Sequence, residues 1–456
     1  MFRIKQLAIL SLLAVLFLYA PVSAQRGKKN PEQPSQFDPT QRPKNLSDEE
    51  LLELVQRQTF RYFWDFAHPT SFMARERSNV AFDYGNEVVT TGGTGFGVMA
   101  MIVAAERGWV PRDSVVNRLL TMVKFLAKAD HYHGVFAHWL DGETGKTIPF
   151  SRKDDGGDLV ETSFLFQGLL TVRQYFDRDT PEERELRNRI TSLWNEVEWN
   201  WHQKDNGNAL FWHWSPNHGW AMDFELRGYN EALITYVLSA ASPRYPIRPE
   251  IYHKCWAQNS HFKNGKEFYG IKLPLGFDYG GPLFFAHYSF LGLNPKGLKD
   301  RYADYWEQNV NHAMIHYRYC VDNPKNFKGY GENSWGLSAS DTYNGYNAHS
   351  PENDWGTITP TAALASFPYT PEQSMKALKH FYYDLGDKLW SEYGFVDAFN
   401  PTQDWYASSH LAIDQGPIIV MIENYRTGLL WNLFMKDPDI QRGLAKLGFT
   451  TDGSHD

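Results

Sequence analysis

Apolar positions recur at helical spacing along most of this chain. From Ser47, the run SDEELLELVQRQTFRYFWDFAH sets an N-cap residue and early acids ahead of an apolar stripe, the sequence signature of a helix start. Similar periodicity predicts helices over Thr94–Glu106, Pro111–Ala129, Leu159–Phe176, Pro181–Gln203, Tyr229–Ala241, Pro249–Gln258, Leu298–Val321, Thr359–Ser366, Pro371–Leu385 and Pro417–Leu433. In the last of these Pro417 suits the first helical position. Strand-like pieces are short and fall between helices, at residues 133–141, 208–216, 268–278 and 393–401. Each alternates aromatic residues and ends in Pro or Asp, as hairpin edges in loops do. Helices joined by long loops rich in Gly, Trp and Asp predict helical hairpins set around an axis. The expected fold is all-α, an (α/α)6 barrel or toroid with short β-hairpins in its loops, and residues 47–456 read as one domain. Long loops in such a fold are where function is expected.

The N-terminal region has a different character. Arg3 and Lys5 precede the apolar stretch LAILSLLAVLFLYA, and Val22-Ser23-Ala24 follows it. This is the pattern of an export signal cleaved after Ala24, so residues 1–24 are read as a signal peptide and a periplasmic or secreted protein is expected. Residues 25–46, polar and rich in Pro, read as a flexible leader. No later stretch has the length and apolarity of a membrane span. Cys255 and Cys320 are the two cysteines of the chain, too few for a disulfide framework, and two buried thiols are expected.

Composition narrows the partners. The formal net charge is -8, and no basic run follows the N-terminus, so nucleic acid is not an expected partner. Aromatic residues make up 16% of the chain, with 16 Trp, 25 Tyr and 30 Phe. Some of these are expected to line an accessible cleft, since flat rings with a polar edge suit the apolar faces of sugars.

Two segments carry related chemistry. DDGGDLVETSFLFQGLL, from Asp154, and ELRGYNEALITYVLSAAS, from Glu225, each run from a Gly-containing loop into an apolar helix. Each places a Glu in its first turn, Glu161 or Glu231, after a polar residue suited to an N-cap, Asp158 or Asn230. Asp158 with Glu161 also reads as a capping box. In a helical barrel, however, inner helices aim their N-termini at one mouth, so both glutamates can face one cleft. Asp414 repeats the placement just before Pro417. Glu423, three residues before Arg426, reads as a structural ion pair. Carboxylates across an aromatic cleft point to glycoside hydrolysis, which needs a protonated acid and an anion that activates water or attacks. The run Gly92-Gly93-Thr94-Gly95-Phe96-Gly97 lacks the strand and Lys of a phosphate loop and reads instead as a place where backbones approach closely. His131, His133 and His138 lack a completing ligand pattern. The acids of Asp154–Asp158 leave a calcium ion open, but no metal or other cofactor is expected. No G-x-S-x-G elbow is present.

The stretch YGENSWGLSASDTYNGYNAHSPENDWGTITPTAALASFPYTPE, from Tyr330 to Glu372, joins GYNEALITYVLSAASP and AIDQGPIIVMIENYRTGLLW in a wider pattern. Together they resemble the bacterial glucoamylase-like family, which includes the β-1,2-glucanases of glycoside hydrolase family 144. The resemblance runs from about residue 47 to 450. It implies an (α/α)6 barrel and hydrolysis of β-1,2-glucan or its oligosaccharides, with inversion. On it Glu231 matches the general acid. Asp154, Asp158 and Glu161 match the acidic loop-to-helix segment, and Asp414 matches the acid of the DQGP motif; which acid is the base stays open. Trp335, Asp341, Tyr346 and Arg426 fall in matching motifs. Trp335 and Tyr346 are expected against sugar rings, and Glu225 is a nearby rival for the acid. The resemblance implies a neutral glucan as partner, and a monomer is expected. Other β- or α-glucans, or a non-catalytic glycan-binding role, remain the alternatives.

Overall fold

The computed structural model describes residues 37–79, 87–258 and 262–451. The signal segment and residues 25–36 of the leader lie outside the described residues. The rest of the leader is docked rather than flexible. Arg42 is buried and pairs with Asp387, and its Nε–H donates to the Tyr382 carbonyl at 2.8 Å.

Helices dominate, and they alternate between an outer and an inner layer. The outer helices are α1 (Asp48–Trp64), α3 (Arg112–Leu126), α5 (Pro181–Glu196), α7 (Tyr305–Asp322) and α9 (Pro371–Lys379), and the π-helical turn Tyr252–Trp256 fills the remaining outer place. The inner layer comprises α2 (Thr91–Glu106), α4 (Leu159–Tyr175), α6 (Leu233–Ala241), the 3-10 turns at residues 283–291, α8 (Pro360–Leu364) and α10 (Ala412–Arg426). Inner neighbours pack in the order α10, α2, α4, α6 and on to residues 283–291, and α8 packs on α10. His287 on the 3-10 segment reaches Ser366 just after α8, 3.0 Å away, which closes the ring. The architecture is the expected helical α/α barrel, completed by α11 (Leu429–Met435) and α12 (Pro438–Leu447).

The two layers differ in sequence for a physical reason. Outer helices have one wet face, so α1 and α5 are amphipathic, and α1 carries a complete capping box of Ser47 with Glu50. Inner helices are covered on every side. In α2 every residue from Thr91 to Ala104 is buried, and in α4 every residue from Leu159 to Val172, which erases helical periodicity. The glycine run of α2 lets it press on α4. A Cβ on Gly95 would lie 2.1 Å from the Phe164 carbonyl oxygen, and one on Gly168 would lie 2.2 Å from that of Gly95.

Strands are short antiparallel pairs, mostly hairpins in the loops, as expected. Five matter for the site: β1 (Arg77–Asn79), β2 (Gly157–Asp158), β3 (His213–Trp214), β4 (Ala339–Thr342) and β5 (Gly345–Ala348). A sixth, β6 (Ser409–Leu411), pairs with β1 in the register Arg77↔Leu411 and runs straight into α10. That continuity corrects one boundary. The helix starts at Ala412, so Pro417 sits inside it and Asp414 lies in its first turn. Likewise α6 starts at Leu233, which leaves Glu231 in the preceding loop.

The charges inside α10 are paired differently from the sequence reading. Glu423, 1% exposed at its side chain, is held by Arg107 at the C-cap of α2, Nε to Oε2 2.6 Å. Arg426 binds Glu53 of α1 at 2.9 Å and the Gln56 side-chain oxygen at 2.6 Å. The i, i+3 pair gives way to two cross-helix contacts that tie the closed end of the barrel. Both cysteines are buried free thiols.

Candidate active site

The N-terminal ends of α2, α4 and α10 and the loop before α6 converge on one open cleft. Its walls carry Trp139, Phe150, Phe164, Trp212, Phe284, Tyr288 and Tyr346, and three carboxylates face it: Glu76, Glu161 and Glu231. The long side chains of an aromatic-rich sequence therefore line a groove as well as fill a core.

Glu161 does not close a capping box. The Asp158 side chain accepts from the Glu161 N–H at 2.9 Å, but the Glu161 carboxylate turns away and accepts from the Gly92 N–H at 2.7 Å. It thereby sits at the N-terminus of α2, where the helix dipole and a free N–H favour an anion. Only glycine permits this approach, because a Cβ on residue 92 would lie 2.4 Å from Glu161 Oε2. Burial pushes Glu161 up to about 7, against the attraction of the His138 cation.

Asp158 is a hub. Besides the Glu161 N–H it accepts from Trp212 Nε1–H at 2.9 Å and meets His138 Nδ1 at 3.2 Å and His213 Nε2 at 3.6 Å. Strand β3 brings His213 there, opposite Asp158 on β2. Burial opposes its charge, but the His138 and His213 contacts outweigh it and hold Asp158 well below the usual carboxylate range. An acid so fully bonded is a poor proton acceptor. Asp154 contacts His213 Nε2 at 3.2 Å. Both imidazoles resist burial because of these acids: Glu161 and Asp158 raise His138 to about 9, and Asp154 and Asp158 raise His213 to about 10. His138, Asp154 and Asp158 can bring ligand atoms within 4.8 Å of one another. The His138 imidazolium already answers the acids at this place, so a metal ion would have to displace its proton.

Glu231 is 7% exposed and lines the cleft. Asn230 caps the turn that follows it, accepting from the Ala232 N–H at 2.9 Å. The hydroxyl of Ser289 donates to the Glu231 carbonyl and accepts from the Ile234 N–H at 3.0 Å, which fixes the backbone. Burial pushes the Glu231 carboxyl up to about 7, and the Glu161 and Asp158 charges add to the effect.

The remaining sequence candidates are dispersed. Tyr346, on β5, lines the cleft, and Asp341, its partner on β4, binds Arg77 at 3.0 Å just behind. Trp335 is fully buried against Tyr317, with Nε1–H donating to the Gln373 carbonyl, and faces no cleft. Glu225 pairs with Arg227 away from the cleft lining. Arg426 stands twelve residues beyond Asp414, roughly 18 Å along the same helix axis at 1.5 Å per residue, and is spent on α1. Asp414 is 2% exposed and lies behind the wall rather than on it. Sequence reading missed Glu76, Arg77, His138 and His213 as wall or hub residues. The histidines had one signal, since each stands among alternating aromatics in a piece read as a hairpin edge.

Known proteins match closely. Residues 223–438 match the family model described as "Putative glucoamylase". An exo β-1,2-glucooligosaccharide sophorohydrolase (non-reducing end) of Parabacteroides distasonis is 47% identical over 423 residues, 88% of this chain and 58% of that protein. The chain thus spans little more than half the length of this curated relative. A solved structure of an endo-β-1,2-glucanase from Chitinophaga pinensis, with sophorotriose and glucose, is 54% identical and superposes with a TM-score of 0.87, covering 89% of this chain and 99% of that one. A solved structure from Bacteroides uniformis, described only as a glucoamylase of the same provisional kind, is 59% identical with a TM-score of 0.88, covering 90% of this chain and 99% of that one.

Proposed function

Because the chain belongs to the glucoamylase-like family, we propose that it is a glycoside hydrolase that cleaves β-1,2-glucan or its oligosaccharides. The observation that carries this reading is the aromatic cleft in which two buried carboxyls, Glu161 and Glu231, are both pushed up to about 7. Aromatic rings bind neutral sugar by stacking. A carboxyl that keeps its proton near neutrality protonates the departing glycosidic oxygen. Glu231 takes that role, since its proton is held by burial and no cation stands against it.

Inversion further needs a base that takes a proton from water on the opposite side of the sugar. Glu161, anchored by the Gly92 N–H, and Asp414, in the first turn of α10, are the two carboxyls for it. Asp158 and Asp154 instead orient the imidazoles that neutralise the wall. Gly92→Ala separates the two choices. Its Cβ displaces the Glu161 carboxylate, a flexible end, so the fold survives. A misplaced base is expected to cost about 100-fold in kcat/KM, with the unfolding midpoint little changed. Near-normal turnover in this variant assigns the base to Asp414.

The signal-like residues 1–24 support export, and among the described residues no helix is long and apolar enough to cross a membrane. The first experiment is product analysis with linear β-1,2-glucan beside starch and β-1,3-glucan. Cleavage of β-1,2-glucan alone is expected. A single short oligosaccharide denotes exo attack and a spread of lengths endo attack, both of which occur among the relatives' names. Proton NMR of the first product should show the α-anomer, the mark of inversion at a β-linkage. Cleavage of starch alone would remove the proposed substrate.

A further inference from the structure

Behind the Tyr346 side of the cleft lies a second pair of acids that the reaction above leaves unexplained. Asp397 and Asp414 are 3% and 2% exposed, and their side chains meet one another. Asp397 Oδ2 accepts from the Asp341 N–H at 2.7 Å. The other three oxygens, Asp397 Oδ1 and both oxygens of Asp414, meet no N–H or hydroxyl donor. The nearest cation, Arg77 of β1, spends its guanidinium on Asp341 of β4 and on Glu76. Tyr346 of β5, Tyr288 of the 3-10 segment and Tyr62 of α1 complete the charged and titratable surroundings. Two buried carboxylates in contact, without a cation between them, cannot both ionise. A proton between them also supplies the donor that the orphan oxygens lack.

We propose that Asp397 is a positioning residue that shares one proton with Asp414, so that the two carboxyls work as a single acid–base unit behind the cleft wall. The proton belongs to the pair and not to either residue. Burial and the Asp341 charge raise Asp397 to about 7, and burial and the Asp397 charge raise Asp414 well above its ordinary range. Above about 7 the unit therefore holds one proton and one negative charge, at the N-terminus of α10 where the helix favours it. No sequence motif named Asp397. Its N–H donates to the Ser409 carbonyl of β6 at 2.9 Å, and the start of α10 on β6 then brings it against Asp414. This inference rests on the reading that Asp414 serves the reaction, but the sharing of the proton does not.

The test compares wild type with Asp397→Asn in two readouts. The first is unfolding by denaturant between pH 5 and 7. Below about 7 the folded pair binds about two protons more than the unfolded chain, and it gives up one of them as pH rises through that value, which leaves the shared proton. The stability tied to the released proton is lost over that rise. The variant keeps only the Asp414 proton, which burial holds, so its folding equilibrium should gain on wild type by up to about tenfold per pH unit. Glu161 and Glu231 contribute equally to both proteins and cancel. Asp414→Asn, which removes the other half, should give the same relative slope and replaces the first variant if that one fails to fold. The second readout is the acid limb of kcat/KM on β-1,2-glucan. Wild type should rise about tenfold per pH unit as the pair ionises toward about 7, whereas Asp397→Asn, whose buried Asp414 keeps its proton, should show no such rise there. Parallel stability slopes would overturn the shared proton. A variant with the same acid limb as wild type would overturn the positioning role. A wild type that leaves β-1,2-glucan intact would sink the proposed function and leave the stability readout to decide the pair.

Discussion

Glu231→Gln is expected to leave the barrel intact and reduce turnover on β-1,2-glucan by about a thousandfold, the scale of a lost general acid. An amide fills the same space in the loop before α6 and keeps the neighbouring backbone contacts of Ser289, but it has no proton to give. KM should change little, because the aromatic walls do the binding. The pH profile supplies an independent check. Glu231 is pushed up to about 7 by burial, so wild-type activity should fall as pH rises past that value. The stability sign follows from the same shift. A carboxyl with a raised folded pKa contributes stability below its unfolded value and loses it as pH climbs through about 7. The Gln variant should accordingly gain stability relative to wild type above neutrality. Near-normal turnover in the variant would remove Glu231 from the acid role and return Glu225 to consideration.

Arg107→Ala is expected to be the most destabilising single change at the closed end of the barrel, by about 3 kcal/mol, through the buried charge it strands. Arg107 grips Glu423 at 2.6 Å through Nε and 3.2 Å through Nη2, and reaches Glu53 at 3.0 Å. Without it Glu423 keeps only neutral donors, Gln56 at 3.2 Å and Thr427 at 2.8 Å. The urea midpoint should fall with little change in slope. Adding Glu423→Gln to the Arg107 variant should recover much of the loss, since the stranded charge is then gone. Equal stability of the single and double variants would mean that packing by the arginine stem, and not the ion pair, carries the effect. Activity should persist in whatever fraction remains folded, because Arg107 lies at the far end of α2 from Gly92.

Helix positions were largely legible in the sequence, because outer helices must keep one polar face. The capping box at Ser47 and the burial of the glycine run followed from local chemistry. What escaped was set by contacts distant in sequence. The inner 3-10 segment at 283–291 is buried on all sides, so no periodicity marks it. Pro417 looked like a helix start because the continuity of β6 with α10 is not written near it. At the cleft, Glu161, Glu231 and Asp158 could be picked out as candidates because each stands by a loop-to-helix junction. Their neighbours His138 and His213 were invisible as a pair, since strand pairing between β2 and β3 joins segments more than fifty residues apart. Trp335 and Arg426 show the converse error. Both stand in informative stretches, yet a motif preserves packing and ion pairs as readily as it preserves chemistry.

The inner ring is uneven. Its α10, α2 and α4 are continuous rods of 15, 16 and 17 residues, and α8 and the turns at 283–291 are brief. Glu161 and Asp414 belong to the long rods, whereas the β4–β5 hairpin with Tyr346 stands beside α8. On the proposed function, the molecule thus separates a stiff anvil, which holds Glu161 and Asp414, from a rim built on short elements. Redesign toward a different chain length has an address on that rim, in insertions and aromatic exchanges that never disturb the anvil.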